Sequence, residues 1–413
     1  MRTTKTARLL LLSGVATVAL MGQAMALDAQ AFVDRIAEVY KPLGYDFTFG
    51  AATLDGDTIT VDGGTVTIVS SPDAKLEPMV FDTEVTFSGV VENADGSYIA
   101  DSVSIPDIDT DFAADPAGHL NLSDILAEGF YLPAGDPVPA IGLIQLFKSF
   151  STGPLSVTRD GEEVFSFESM ASQSTFNPAF ASTELSDLSS TFLISGISAD
   201  LTSVAEDDPG AGATIEALGL TNVTGEIYME MSWAMADGHV DLTAFTLDFD
   251  DVGAIDITAD LTGFTPAVLD QIYAMQASMG GEQTEEQAQA QMMQGMALMQ
   301  GVNIVSASIR YDDASLAGKL LDFFAAQSGA DRATFVEGLK SMLPMMLAQS
   351  GIPALNDLVV PPVSAFLDDP QSIEVKVAPP SPTSLLVLMA AAANPAGLIT
   401  ALGLAVEANQ PVE

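Results

Sequence analysis

Chemistry in this chain must come from few residue types. The only imidazoles are His119 and His239, and there is no cysteine. A serine nucleophile needs an imidazole base oriented by a third group, beside a nucleophile elbow of the G-x-S-x-G type, and no such elbow occurs. His119 reads as a loop residue, and His239 follows the Asp237-Gly238 turn, so both read as solvated turn histidines. A P-loop, a G-x-G-x-x-G opening a βαβ unit and an H-E-x-x-H helix are also missing. Thiolate-ligated zinc, iron–sulfur clusters and disulfides are excluded outright.

Carboxylates are plentiful, with 56 Asp and Glu, so a pair among them is hard to single out. Asp107, Asp109 and Asp111 alternate and would line one face of a strand, where hard oxygen ligands suit Ca²⁺. The spacing opens an EF-hand loop but fails it. Phe112 stands where glycine is needed, and Gly118 where a bidentate glutamate is needed. A solvated acidic strand face is the reading preferred over an opportunistic calcium site, and Glu206, Asp207 and Asp208 are read likewise. Two acids across a cleft can cleave a glycoside, but nothing in the spacing selects them. The expected set of catalytic and cofactor residues is therefore empty.

Methionine is the remaining feature. Met292, Met293, Met296 and Met299 place three thioethers on one helix face. Thioethers select Cu(I), yet methionine is also an adaptable filler of cores and apolar grooves. Met275, Met279, Met342, Met345 and Met346 spread over other helices favour filling. The candidate apolar groove comprises Met229, Met231, Trp233, Met292, Met296, Met299, Phe323, Phe324, Met342 and Met346.

These residues need elements to hold them. From Tyr45 to Phe264 the chain alternates apolar and polar residues, as in Thr65 to Ile68, Glu84 to Phe87, Glu226 to Trp233 and Ile255 to Leu261. Period two with one apolar face marks antiparallel strands. Asp55-Gly56, Asp62-Gly63, Asp95-Gly96, Asp160-Gly161 and Asp237-Gly238 read as hairpin turns, because both residues tolerate positive φ. The hairpins around Asp95-Gly96 and Asp237-Gly238 form a weak internal repeat. Pro133 to Pro139 and Glu206 to Gly212 read as loops, and Ala140 to Phe150 as a helical patch. Pro266 to Gly301 reads as helical, broken at Gly280-Gly281, then Val302 to Tyr311 as a strand. Ser315 to Gln327, Arg332 to Gln349 (kinked at Pro344) and Pro362 to Leu367 read as helices, and Ser372 to Ala378 as a strand. No charge occurs from Val377 to Val406, but Pro379, Pro380, Pro382 and Asn394-Pro395 divide that run. It reads as two short helices, Thr383 to Ala393 and Pro395 to Leu402, rather than a membrane span.

The formal net charge is −43, from 13 Lys and Arg against 56 acids. Such a surface does not neutralise nucleic-acid phosphates. Arg2, Lys5 and Arg8, the apolar run Leu9 to Leu20 and the small-x-small site Ala24-Met25-Ala26 read as a cleavable secretory signal over residues 1–26. Cleavage removes three bases, leaving 10 against 56 acids and a net charge of −46. Periplasmic export is expected, with an extracellular or outer-membrane-associated place as the alternative. The lack of cysteine closes the lipoprotein route.

Several stretches carry a resemblance. Asn303-Ile304-Val305-Ser306 runs into Arg310-Tyr311-Asp312-Asp313-Ala314-Ser315-Leu316 and a helix. Ala365-Phe366-Leu367-Asp368-Asp369-Pro370 precedes a strand, Pro379-Pro380-Ser381-Pro382 follows, and Leu402 to Asn409 closes the chain. With the Trp233 hairpin and Ala259 to Phe264, this loose pattern over residues 80 to 409 resembles uncharacterised exported Gram-negative envelope proteins. More distantly it is similar to the YdgA-like family of unknown function and to AsmA-type elongated β proteins. The resemblance implies a long curved antiparallel sheet with helices on its concave side, and in AsmA-type relatives a link to lipid handling. Those relatives usually keep an N-terminal anchor, whereas this leader reads as cleavable. The resemblance supplies no catalytic residue.

The expected fold is thus α+β. It has a large curved antiparallel sheet, a hairpin meander, with helices of the C-terminal third on its concave face. Residues 27–264 form a β-rich region and 265–413 a helix-rich region whose few strands complete the same sheet. The expected function is non-enzymatic: a periplasmic envelope protein binding lipid or another hydrophobic ligand in a groove of that sheet. The alternatives are a ligand-free scaffold and, third, a carboxylate-dependent hydrolase. Peripheral membrane contact through the uncharged C-terminal stretch is a further expectation.

Overall fold

The computed structural model describes residues 27–68, 79–114, 116–135, 138, 146–175, 187–202, 204, 208–278, 285–349, 352–392 and 395–411. The expected signal peptide lies outside these residues.

Helix α1 (Ala29–Tyr40) starts where the Asp28 carboxylate accepts the N–H groups of Gln30 and Ala31, two of the donors a helix start leaves unpaired. Its apolar residues recur at helical spacing, so Phe32, Val33, Ile36 and Val39 are all buried. Among the described residues, the chain then enters a 21-stranded antiparallel sheet that does not close. In chain order the first strands are β1 (Tyr45–Phe49), β2 (Ala52–Asp55), β3 (Thr58–Ile68), β4 (Met79–Ser88), β5 (Val91–Glu92), β6 (Tyr98–Ile105) and β7 (Ile108–Ala114). Next come β8 (Ala117–Leu122), β9 (Ile125–Leu132), β10 (Ser149–Thr152), β11 (Leu155–Arg159), β12 (Glu162–Phe167), β13 (Ser169–Thr175) and β14 (Leu188–Asp200).

Several of these are two halves of one long strand. β6 and β7, β8 and β9, β10 and β11, and β12 and β13 each run on through a short break, and each half pairs with the matching half of the neighbouring long strand, both β12 and β13 with β14. The breaks line up across the sheet, at Pro106-Asp107, Ser123-Asp124, Gly153-Pro154, Glu168 and Gly196. There the Asp124 N–H donates to the Asp107 carboxylate at 3.0 Å, and Gly153 N–H to the Ser123 carbonyl at 2.9 Å. Gly196 sits at φ 64 against the Glu168 side chain, where a Cβ has no room.

The meander continues through helix α2 (Pro209–Leu218) into β15 (Asn222–Ala234), β16 (His239–Phe249) and β17 (Gly253–Thr262), each paired with its predecessor. Helices α3 (Pro266–Ser278) and α4 (Glu285–Gly301) precede β18 (Asn303–Asp313). Then follow α5 (Leu316–Ser328), α6 (Arg332–Ala348) and α7 (Ala354–Asp368). β19 (Ser372–Val377), β20 (Thr383–Ser384), α8 (Leu385–Ala392), α9 (Pro395–Leu402) and β21 (Leu404–Ala408) complete the chain. β18 pairs with β17, β19 with β18 and β21 with β19, so the helix-rich region extends the sheet of the β-rich region. The architecture is α+β, as its patterning predicts, and the helices lie mostly toward the C-terminus. Among the described residues no helix is long and apolar enough to cross a membrane.

Local differences from the sequence reading have local causes. Asp62-Gly63 is a bulge inside β3 and not a turn, because β3 runs on to pair with both β1 and β2. His119 lies within β8 and not in a loop. Residues 209–212 begin α2 rather than a loop, since Asp208 caps Gly210 and Ala211 and Pro209 takes the first turn. Ser149 and Phe150 belong to β10, while 140–145 lie outside the described residues. The helix read as Pro362 to Leu367 starts at Ala354 and contains Pro361 and Pro362.

Most of the tight packing is near the N-terminus. Phe32 is fully buried and meets Phe87, Tyr98 and Phe130 edge-on, with ring centroids 5.0, 5.4 and 6.4 Å away. Ile59, Val61 and Leu132 join the same cluster. Tyr131 points to the opposite face from Phe130 and enters a second cluster with Leu188, Trp233, Met235 and Leu269.

Candidate functional site

The strands β14 to β19 and β21 carry the candidate site. Their pairing aligns three apolar rows on one face. The middle row runs Phe192, Met229, Phe245, Ile257, Ile309, Val375 and Val406, each directly opposite the next. On one side runs Ile194, Ile227, Leu247, Ile255, Tyr311, Ile373 and Ala408. On the other side Met231, Leu242, Ala259, Ala307, Val377 and Leu404 are opposed in the same way. Directly opposed residues of antiparallel strands share a face.

These rows have the composition of a core but are not buried as one. No residue of the middle row is buried, and Ile309 is 56% exposed, Val375 41% and Ile255 37%. Isolated exposed apolar side chains are ordinary, whereas a contiguous apolar area is a sign of interaction. Cover is present at the ends. The Phe366 ring of α7 meets Tyr311 edge-on at 6.4 Å, and Leu269 of α3 packs with Trp233.

The helices add exposed apolar groups of their own. Met292, Met293 and Met296 of α4 are 66, 59 and 41% exposed, and Met342, Met345 and Met346 of α6 are 54, 69 and 60% exposed. Phe324 of α5 and Met389 of α8 are exposed as well.

Of the residues expected to line a groove, the register brings Met229 and Met231 onto the apolar face. Met292, Met296, Phe324, Met342 and Met346 are exposed on the helices, while Met299 and Phe323 are half-buried, with Phe323 ring-to-ring against Phe324 at 5.3 Å. Trp233 departs from the expectation. It is 2% exposed, and its indole N–H donates to the Phe264 carbonyl at 2.7 Å, so it pins a turn instead of meeting a ligand. Ile255, Ile309 and Val375 were not singled out by the sequence. Their alternation was visible, but their exposure depends on which helices cover the sheet, which no local pattern encodes.

The opposite face of the same strands is polar and acidic. Glu226 opposes Asp248, and Asp241 opposes Asp260. A depression of about 480 Å³ lies among Asp256, Arg310, Glu374, Lys376 and Glu407. Arg310 donates twice to Asp312 at 2.6 Å and once to the Gln410 carbonyl at 2.8 Å. Its guanidinium is held charged chiefly by the Asp312 hydrogen bonds. Lys376 bridges Glu374 and Glu407 at 3.2 and 3.0 Å, and those hydrogen bonds raise its pKa. This network ties the C-terminal strand to the sheet. A second depression, of about 690 Å³, follows the aligned breaks and includes Glu163, Glu168, Glu226, Asp248 and Asp250.

The calcium candidates separate. Asp109 and Asp111 flank His119, at 3.2 Å from Nε2 and 2.9 Å from Nδ1, while Asp107 caps the Asp124 N–H. Among the described residues no group of three or more His, Asp or Glu is placed to hold a metal ion. His239 Nε2 lies 2.8 Å from Asp260 Oδ1, on the acidic face.

A model of a family of uncharacterised proteins matches residues 246–409, from the second half of β16 to the C-terminal strand. It therefore spans the part of the sheet where the apolar rows are least covered. No curated protein matches the chain.

Proposed function

We propose that this is an exported, non-enzymatic binding protein that takes a lipid or another long hydrophobic ligand on the uncovered apolar face of β14 to β19 and β21. The observation that carries this reading is the middle row from Phe192 to Val406. It is continuous over seven strands and nowhere buried. Leaving such an area in water forfeits roughly 25 cal/mol per Å² of burial. An occupant recovers that free energy. Flexible methionines suit a surface that adapts to different chains. The more distant likeness to AsmA-type and YdgA-like envelope proteins and the signal-like first 26 residues agree with a periplasmic lipid binder.

The test is to purify the protein from the periplasm, extract it with organic solvent and identify bound molecules by mass spectrometry. Wild type should carry a stoichiometric long-chain compound, and Ile309→Glu should lose it. Extracts equally empty for both proteins would refute the reading. A scaffold that offers this surface to a protein partner is the second reading, favoured by the high exposure of Met345 and Met346 on α6. A lipid-free protein that co-purifies with one defined partner would select it.

A further inference from the structure

We propose that the ligand of the apolar face is a long-chain amphiphile without net negative charge, selected against anionic lipids by the acidic back of the same sheet. This rests on the reading above and names the class of ligand.

The charge asymmetry is strongest on β15 to β17, since on β18 and β19 the same back carries Arg310 and Lys376, each paired with carboxylates. From Asp160 to Ile309 the chain has no Lys or Arg. Glu226, Glu230, Asp241, Asp248, Asp256 and Asp260 all project from β15 to β17 on the face opposite the apolar rows. The three apolar rows contain no charged residue at all. One backbone layer separates the two faces, so the carboxylates lie within about 10 Å of whatever rests on the apolar side. That distance is comparable to the Debye length, about 8 Å at physiological ionic strength. The low-dielectric side chains of the apolar face screen less than water would. An anionic headgroup beside the rows therefore meets a repulsive field that a zwitterionic or uncharged one does not.

The same charge argues against two other occupants. An anionic bilayer repels this surface, and a second copy brings an equal excess of negative charge to a face-to-face contact. The dimensions favour a chain. Seven strands about 4.8 Å apart give a row roughly 29 Å long, suited to an extended aliphatic chain lying across the strands.

Phosphatidylcholine and phosphatidylglycerol with identical chains, one chain carrying the same fluorophore, test the idea by titration into the purified full-length protein. At about 20 mM salt, where the Debye length is roughly 20 Å, phosphatidylcholine should bind at least about tenfold more tightly. At about 500 mM salt the gap should close toward equality, since screening then acts over roughly 4 Å. In the variant Glu226→Gln, Glu230→Gln, Asp241→Asn, Asp248→Asn the gap should narrow at low salt while phosphatidylcholine affinity holds. Equal binding at low salt, tighter phosphatidylglycerol, or an undiminished gap in the variant would each overturn the proposal. Binding of neither lipid would instead remove the underlying reading, and this proposal with it.

Discussion

The two ends of the sheet carry similar strands and opposite solutions for their apolar faces. Near the N-terminus α1 lies across the sheet and closes it: Phe32, Val33, Val39, Ile59, Val61 and Leu132 are each at most 1% exposed. Toward the C-terminus more helices are present, yet the middle of the sheet stays open, with Ile309 at 56%. The difference is in where the helices pack. α5, α6 and α7 contact one another in succession, and α7 packs mainly on the last strands β19 and β21, with its Phe366 ring reaching Tyr311 of β18. Leu321, Ala325 and Val336 are buried in those helices, so part of their apolar surface is spent on each other. A sheet patterned for one-sided cover is thus closed by one helix at one end and left available at the other.

Substitutions at the two ends should separate stability from binding. Phe32→Ala removes the ring on which three other aromatics converge. It should cost about 3–5 kcal/mol in chemical denaturation, by loss of burial and creation of a cavity. Its ligand affinity, measured under conditions where the protein stays folded, should be unchanged. Ile309→Ser should do the reverse, with stability within about 0.5 kcal/mol of wild type and markedly weaker ligand binding. If Ile309→Ser destabilises as much as Phe32→Ala, the C-terminal face is a covered core and the contrast fails.

A smaller effect sharpens the N-terminal side. Asp95 closes the turn between β5 and β6, where it accepts the Ser97 backbone N–H at 3.0 Å and its hydroxyl at 2.7 Å. The backbone hydrogen bond, then the hydroxyl, hold its carboxyl below the ordinary aspartate value of about 3.9. With the folded pKa depressed, the contribution is fully present above the unfolded value and lost as pH falls through the folded one. Denaturation midpoints measured from about pH 5 down to about pH 2 should therefore fall less for Asp95→Asn than for wild type. Equal slopes would show that this turn contributes nothing through its carboxylate.

Much of this was legible in the residues. Period-two patterning located Thr65 to Ile68, Ile227 to Trp233 and Ile255 to Leu261 on strands, and Asp95-Gly96, Asp160-Gly161 and Asp237-Gly238 are turns as their chemistry requires. Asp62-Gly63 was misleading because the same positive φ that makes a turn also makes a bulge, and only the pairing of β3 with two strands decides between them. His119 read as a loop because its neighbours are polar and glycine-rich, yet it pairs with Thr158 in the sheet. For the candidate site, alternation showed which residues share a face but not which faces are covered. Trp233 and Met229 are equivalent in the strand pattern, and tertiary packing alone buries one and leaves the other half open.

The absence of cysteine makes the contrast directly measurable. Single substitutions Ile59→Cys and Ile309→Cys place one thiol in each environment, and maleimide labelling of the folded protein reads their accessibility. Ile309→Cys should label rapidly and be protected by added long-chain lipid, while Ile59→Cys should label only on the timescale of unfolding. Ile309→Cys labelling as slowly as Ile59→Cys, or rapidly but without protection by lipid, would contradict an open apolar face built to receive a ligand.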